Sequence, residues 1–289
     1  MRFRGGEKMM GAEEHEMSQM EKLVVLARGL GTRMQASQGE AELAAEQARA
    51  ADAGMKGMMP VAGGRPFMDY VLNEAVAAGL HQVCLVIGPE HLAVREYYGR
   101  LAMRRMSVTF AVQEHPRGTA DAVAAAEAFA GNAPFAVING DNLYPTSAFA
   151  ALRAAAGAAG AFFRRGPLIA GGNIPPDRVA KFALVQAAAD GRLVKIVEKP
   201  GTAALAACGA DACVSMNCWR FGAEIFEAAR RIPPSPRGEL ELTDAVQYAV
   251  DVLGVRIEVI RMSEGVLDLS CRTDVAEVGR RLAKVEVQL

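Results

Sequence analysis

The sequence predicts a single mixed α/β domain: a mostly parallel sheet covered by helices, with a small antiparallel subregion. Two observations carry this. Short, predominantly apolar runs at residues 23–27 (LVVLA), 83–87 (VCLVI), 108–112 (VTFAV) and 135–139 (FAVIN) alternate with helix-like stretches at 67–78, 92–98 and 120–129. A continuous apolar run marks a strand covered on both faces, and strand–helix–strand repetition makes such strands parallel. After about residue 160 the rhythm changes. Runs at 182–185 and 193–197 flank Asp190-Gly191, a turn signal that joins antiparallel strands. A strand at 214–221, helices at 223–231 and 243–253, and strands at 256–261 and 266–269 complete the chain. No internal repeat and no long linker divides it, so residues 21–289 read as one domain. Residues 1–20 are charged, lack an apolar segment and read as a disordered tail, not a signal peptide.

The chain has 289 residues, with 32 Lys and Arg against 33 Asp and Glu, a formal net charge of −1. That balance excludes nucleic-acid binding through bulk positive charge. A membrane span is excluded too, because the longest apolar-looking stretch, 148–163, is alanine-rich and interrupted by Arg153. The five cysteines (Cys84, Cys208, Cys213, Cys218 and Cys271) are odd in number and form no Cys-x-x-Cys pair. They read as buried thiols in the cytoplasm, not as a disulfide framework or a zinc ribbon. The four histidines carry no pattern.

In sheets of this kind ligands sit beyond the carboxyl ends of the strands, where loops lead into helices. The first such loop is Leu26-Ala27-Arg28-Gly29-Leu30-Gly31-Thr32-Arg33. Its two glycines let backbone N–H groups turn toward an anion in front of a helix N-terminus. It is neither a dinucleotide fingerprint, since Met34 stands where the third glycine would be, nor a P-loop, since Thr32-Arg33 replaces Gly-Lys-Ser/Thr.

Six segments in order extend this signal: the loop with Lys56, Pro60-Val61 and Arg65-Pro66; Gln113 with Gly118-Thr119-Ala120-Asp121; Gly140-Asp141-Asn142; Glu198-Lys199-Pro200; Arg237-Gly-Glu-Leu-Glu-Leu-Thr-Asp244; and Leu267-Asp268-Leu269. Together they resemble the nucleotidyltransferases that activate sugar 1-phosphates, over roughly residues 22–285, and lean toward glucose-1-phosphate thymidylyl- and uridylyltransferases. The resemblance implies a Rossmann-like α/β/α domain and attack of a sugar-1-phosphate oxygen on the α-phosphorus of a nucleoside triphosphate. Such chemistry asks the protein for positioning and charge neutralisation. By resemblance, Arg33 and Lys56 are the catalytic cations. Leu26, Ala27, Arg28, Gly29, Gly31, Thr32, Gln113, Gly118 and Thr119 bind the nucleotide. Asn142, Glu198, Lys199, Asn217 and Arg237 serve the sugar phosphate. Asp141 and Asp268 hold Mg2+, a hard ion suited to carboxylates and phosphate oxygens. The expected partners are a nucleoside triphosphate and a sugar 1-phosphate, with no nucleic acid and no membrane, in a homo-oligomer.

Three departures stand out. Arg28 replaces a small residue in the first loop, Phe182-Ala183 stands where many relatives carry Tyr-Gly, and residues 35–53 form an extra stretch rich in helix formers. That stretch reads as an inserted helix, either a lid or an exposed addition. Two further readings remain open: transfer to another phosphate acceptor (a cyclitol phosphate, phosphocholine or a pterin cofactor), and a degenerate relative that binds a nucleotide sugar and regulates a partner.

Overall fold

Eleven strands, nine in one sheet and two in a separate ribbon, appear among the described residues of a computed structural model that describes residues 20–29, 31–36, 41–209 and 211–289. They are β1 (Lys22–Leu26), β2 (Gln82–Ile87), β3 (Ser107–Val112), β4 (Phe135–Asn139), β5 (Asn142–Leu143), β6 (Ala159–Arg164), β7 (Ala183–Ala187), β8 (Leu193–Val197), β9 (Cys213–Phe221), β10 (Glu258–Met262) and β11 (Leu267–Asp268). The main path runs β10-β6-β9-β4-β1-β2-β3, with the β7–β8 hairpin branching from β9 and β5–β11 forming a separate ribbon. β1 lies parallel to β2 and β4, whereas β9 runs antiparallel to β4, β6 and β7.

The alternation of side chains along each strand sorts the core into two layers. Leu23 and Val25 of β1 join Ala136 and Ile138 of β4 on one face, beneath the helix Phe67–Ala77. Val24, Phe135 and Val137 point to the other face, against helices Thr119–Ala125, Glu224–Arg231 and Leu242–Asp251. Helices on both faces explain why these strands are apolar without interruption.

Several elements differ from the sequence expectation. The stretch 148–163 divides into the helix Thr146–Ala154 and β6, a strand in the main sheet whose Ala-Gly-Ala start hides its strand character. Phe162 and Phe163 of β6 serve opposite core layers. The helix expected at 120–129 breaks at Ala126 into Thr119–Ala125 and Glu127–Ala130. Met20, assigned to the tail, is buried, and its carbonyl accepts a 2.8 Å hydrogen bond from Arg153 Nε; residues 1–19 lie outside the described residues. Cys84, Cys213 and Cys218 are buried as expected, but Cys208 is exposed and Cys271 half-buried.

Of the stretch 35–53, residues 37–40 lie outside the described residues, and the helix Ala45–Asp52 follows them. Its Ala50 and Ala51 enter the core. Gln35 Nε2 donates to the Asp52 carbonyl at 3.0 Å and Gln47 Nε2 to that of Pro60 at 2.8 Å. The helix is docked on the body at both ends. Among the described residues no helix is long and apolar enough to cross a membrane.

Candidate active site

The first loop and Lys56 are brought together by two glycines. Gly31 adopts φ +61, and a Cβ there would lie 2.5 Å from both Cα and O of Gly54. The chain that departs at the loop thus returns backbone against backbone, and two residues later the short helix Lys56–Met58 starts. Across the loop, Gly140 N donates to Leu26 O at 3.0 Å, which fixes the end of β4 beside the end of β1. Met68 wedges under Gly57 and Gly140, where a Cβ would come within 2.6 and 2.8 Å of its methyl. The outcome is a 2.7 Å ion pair between Lys56 Nζ and Asp141 Oδ2. It lines a cleft of about 210 Å³ with Leu26, Ala27, Gly29 and Thr119. Thr32 and Arg33 are exposed on the first turn of the helix Thr32–Ala36. Arg33 makes no ion pair among the described residues, so its charge is uncompensated at the loop.

Asp268 reaches the same edge from the far end of the sequence. It pairs with Asn142 in the β5–β11 ribbon, and Leu269 N donates to Asp141 O at 2.9 Å. The Asp268 carboxylate is almost fully buried. Asn142 Nδ2 and Ser270 Oγ donate to its Oδ1 at 2.9 and 2.8 Å, and Arg178 Nη1 to its Oδ2 at 2.9 Å. Burial pushes the Asp268 carboxyl above its ordinary value, and the negative charge of Asp141 pushes it further. Two carboxylates that repel at close range, each with one cation on it, are a donor set a divalent ion fits. Among the described residues no third His, Cys, Asp or Glu joins them, so further ligands must come from substrate and water. Asn142, expected on the sugar side, is buried and committed to Asp268.

In the segment that leads to Thr119, Gln113 is buried and its Nε2 donates to Gly118 O at 3.0 Å and Asp121 Oδ2 at 2.8 Å. Gly118 has φ +120, and a Cβ there would lie 2.5 Å from Leu240 O. Ala120 N donates to Leu240 O, Leu240 N to Arg117 O and Leu242 N to Thr119 Oγ1. This backbone ladder stitches the Gln113 segment to the start of the helix Leu242–Asp251. Thr119 therefore has a structural partner. Arg28 is buried: Nη1 donates to the Gln113 carbonyl, and Nε lies 3.3 Å from Glu90 Oε1. Its guanidinium is thus occupied within the protein.

The other residues expected on the sugar side come from the end of β8, the segment before the helix Leu242–Asp251 and the point where β9 leaves β4 and joins β7. Asn217 sits at that junction with φ +57, its Oδ1 accepting from Trp219 Nε1 and its Nδ2 donating to Asn139. Glu198 and Lys199 follow β8. Arg237 Nη2 lies 2.6 Å from Glu241 Oε1 and 4.0 Å from Glu198 Oε1. The Glu198 carboxyl is raised by partial burial, then by the Glu241 charge, against a lowering by Arg237. Ala183 packs inward in the second core layer.

A family model described as "Nucleotidyl transferase" matches residues 51–269. The chain belongs to the nucleotidyl transferase family. Members of this family generally need a divalent metal. This nucleotidyltransferase is 27% identical over 255 residues to the UTP–glucose-1-phosphate uridylyltransferase of Streptococcus pneumoniae, covering 79% of each chain. It is 29% identical over 240 residues to the glucose-1-phosphate thymidylyltransferase of Streptomyces antibioticus, covering 80% of this chain and 57% of that one. A UDP-glucose pyrophosphorylase solved with UDP-glucose shares the fold at TM-score 0.70 and 19% identity, with 92% of this chain and 99% of that one covered.

Sequence reasoning missed Arg178, Ser270 and Asn173, which surround Asp268, and Gly54, on which Gly31 rests. Asn173 Oδ1 accepts from Asp268 N at 2.7 Å, and its Nδ2 donates to Asp268 O at 2.9 Å. None belongs to a segment carrying the family pattern. Only the missing glycine tolerance at Gly31 could have pointed to a small partner such as Gly54.

Proposed function

We propose that this nucleotidyltransferase moves a uridylyl or thymidylyl group from its triphosphate to a hexose 1-phosphate, with Mg2+ as the ion. A phosphate oxygen of the sugar phosphate attacks the α-phosphorus, and the bond to the pyrophosphate oxygen breaks, yielding a nucleotide sugar and pyrophosphate. The observation that carries this reading is the Lys56–Asp141 pair of 2.7 Å at the mouth of the glycine loop. A mobile cation paired with a carboxylate beside a loop of backbone donors supports reading Lys56 as a triphosphate contact and Asp141 as a metal ligand.

The chain's own groups divide the work. Backbone donors of Arg28, Gly29 and Gly31, with Thr32, orient the triphosphate beside Ala27, whose own N–H is committed to Val86 O, and Arg33 and Lys56 neutralise charge that builds on the α-phosphate in the transition state. Asp141 and Asp268 would hold the ion, which would supply further neutralisation of phosphate oxygens. Gln113 has both amide hydrogens committed to Gly118 and Asp121, which leaves Oε1 as an acceptor. An acceptor complements the imide N–H of uracil or thymine, and cytosine has no N–H at that ring position. Glu198 accepts from sugar hydroxyls, Asn217 adds a second polar contact, and Lys199 and Arg237 hold the sugar phosphate. For Arg237 this requires the phosphate to compete with Glu241. The enzyme is expected to work in the cytoplasm as an assembly of identical chains.

The test is magnesium-dependent pyrophosphate release measured with each of UTP, dTTP, CTP, GTP and ATP against glucose 1-phosphate, then against other sugar 1-phosphates. Release with UTP or dTTP and a hexose 1-phosphate is the expected result. Equal rates with all five triphosphates would sink the base assignment, and silence with every pair would sink the reaction.

A further inference from the structure

The environment of Asp268 contains a cation that the reaction scheme does not use. Arg178, on the short helix Pro176–Val179, has a side chain only 13% exposed and lies between two buried carboxylates. Its Nη1 is 2.9 Å from Asp268 Oδ2 and 3.0 Å from both oxygens of Asp274, while Nη2 reaches Cys271 Sγ at 3.3 Å. One nitrogen with two hydrogens cannot serve three oxygens fully. Asp274 is the firmer anchor, since it offers both oxygens and is itself fixed by Ser270 N and Cys271 N at 2.9 Å. On Asp268, Oδ1 already accepts from Asn142 and Ser270, so Oδ2, the oxygen facing Arg178, has the most capacity left.

We propose that Arg178 is a resident counter-cation that competes with the divalent ion for Asp268 Oδ2, so that the ion binds together with the nucleotide and not ahead of it. Without substrate, Asp141, Asp268 and Asp274 face Lys56 and Arg178, and the guanidinium already supplies the positive charge that a buried carboxylate requires. A free ion must then add to a site that is largely neutralised. A triphosphate brings negative charge of its own and shifts that balance toward the ion. Arg178 keeps Asp274 when it cedes Asp268, so it stays in place as a positioning residue. This inference rests on the reading of Asp268 as a metal ligand.

The probe is Mn2+, titrated into the nucleotide-free full-length protein and followed by its paramagnetic resonance signal. Arg178→Gln is expected to tighten Mn2+ binding by about tenfold or more, the scale on which groups behind a metal ligand act. Arg178→Lys keeps the charge and should remain near the wild type. Unchanged or weaker binding by a folded Arg178→Gln protein, as judged by circular dichroism, overturns the proposal. Should that variant not fold, Asp274→Asn decides: it leaves the guanidinium wholly to Asp268, so weaker Mn2+ binding supports competition and unchanged or tighter binding refutes it. Asp268→Asn separates the two layers of the argument. If it binds Mn2+ as the wild type does, Asp268 is no ligand and the underlying reading fails; if it alone changes binding, only the competition fails.

Discussion

The proposed nucleotide and sugar halves of the site are held by different means. In the nucleotide half, close backbone approaches do the positioning: Gly31 against Gly54, Gly118 against Leu240, Gly140 against Leu26. These contacts allow no side chain and little adjustment, so the loop is preorganised for the triphosphate proposed to bind there. In the sugar half, charged side chains hold one another: Arg237 with Glu241 and Glu198, across side chains that are 44% and 34% exposed for Arg237 and Glu198. The Arg237–Glu198 contact, exposed on both sides, contributes little and rearranges readily, whereas Glu241 is buried and holds Arg237 more firmly. The nucleotide half should therefore fail by loss of fold or of turnover, and the sugar half by loss of substrate affinity.

The sharpest way to break that contrast is at Asp141. Asp141→Asn is expected to lower kcat by about 10³-fold, the scale of one lost electrostatic group, while the thermal shift produced by UTP changes far less. Equal and small losses of both would favour a binding protein over an enzyme. Next is Gly31→Ala, which adds a left-handed penalty of about 1–2 kcal/mol to a backbone collision with Gly54. Calorimetry should show a loss of at least about 2 kcal/mol, and a neutral result would mean that the loop yields. Gln113→Glu cannot donate to Gly118 O or Asp121, and should raise KM for UTP by about 10–100-fold with the sugar phosphate KM unchanged.

The sugar half sets the small end of the scale. Arg237→Ala should raise KM for the sugar phosphate by about tenfold and cost about 1 kcal/mol of unfolding stability, because it leaves the buried Glu241 carboxylate without its cation. At Glu198 the sign follows from its raised carboxyl. A group whose folded pKa lies above its unfolded value favours folding at low pH, and that contribution is lost as pH rises through the folded value. Glu198→Gln should thus be slightly more stable than the wild type at neutral pH, and the gain should vanish as pH falls through the carboxylate range. A denaturant series at several pH values reads this directly.

The sequence by itself determined the parallel core, the glycine loop and the order of the charged segments. Those features depend on local properties: apolar runs long enough to be covered on two faces, and glycine where φ must be positive. β6 escaped because Ala-Gly-Ala looks the same in a helix or a strand until Phe162 and Phe163 find opposite layers. Only the tertiary structure decided which cation meets which carboxylate. Lys56 meets Asp141 across 85 residues and Arg178 meets Asp268 across 90. Pairing at such range follows from where the sheet edge and the β5–β11 ribbon converge, and local pattern carries no record of it. The same holds for Arg272, which joins the two ends of the inserted stretch by donating to Met34 O at 3.0 Å and to Asp52. The inserted stretch is thus tied to the body by a buried guanidinium from the far end of the chain, a contact that no local pattern records.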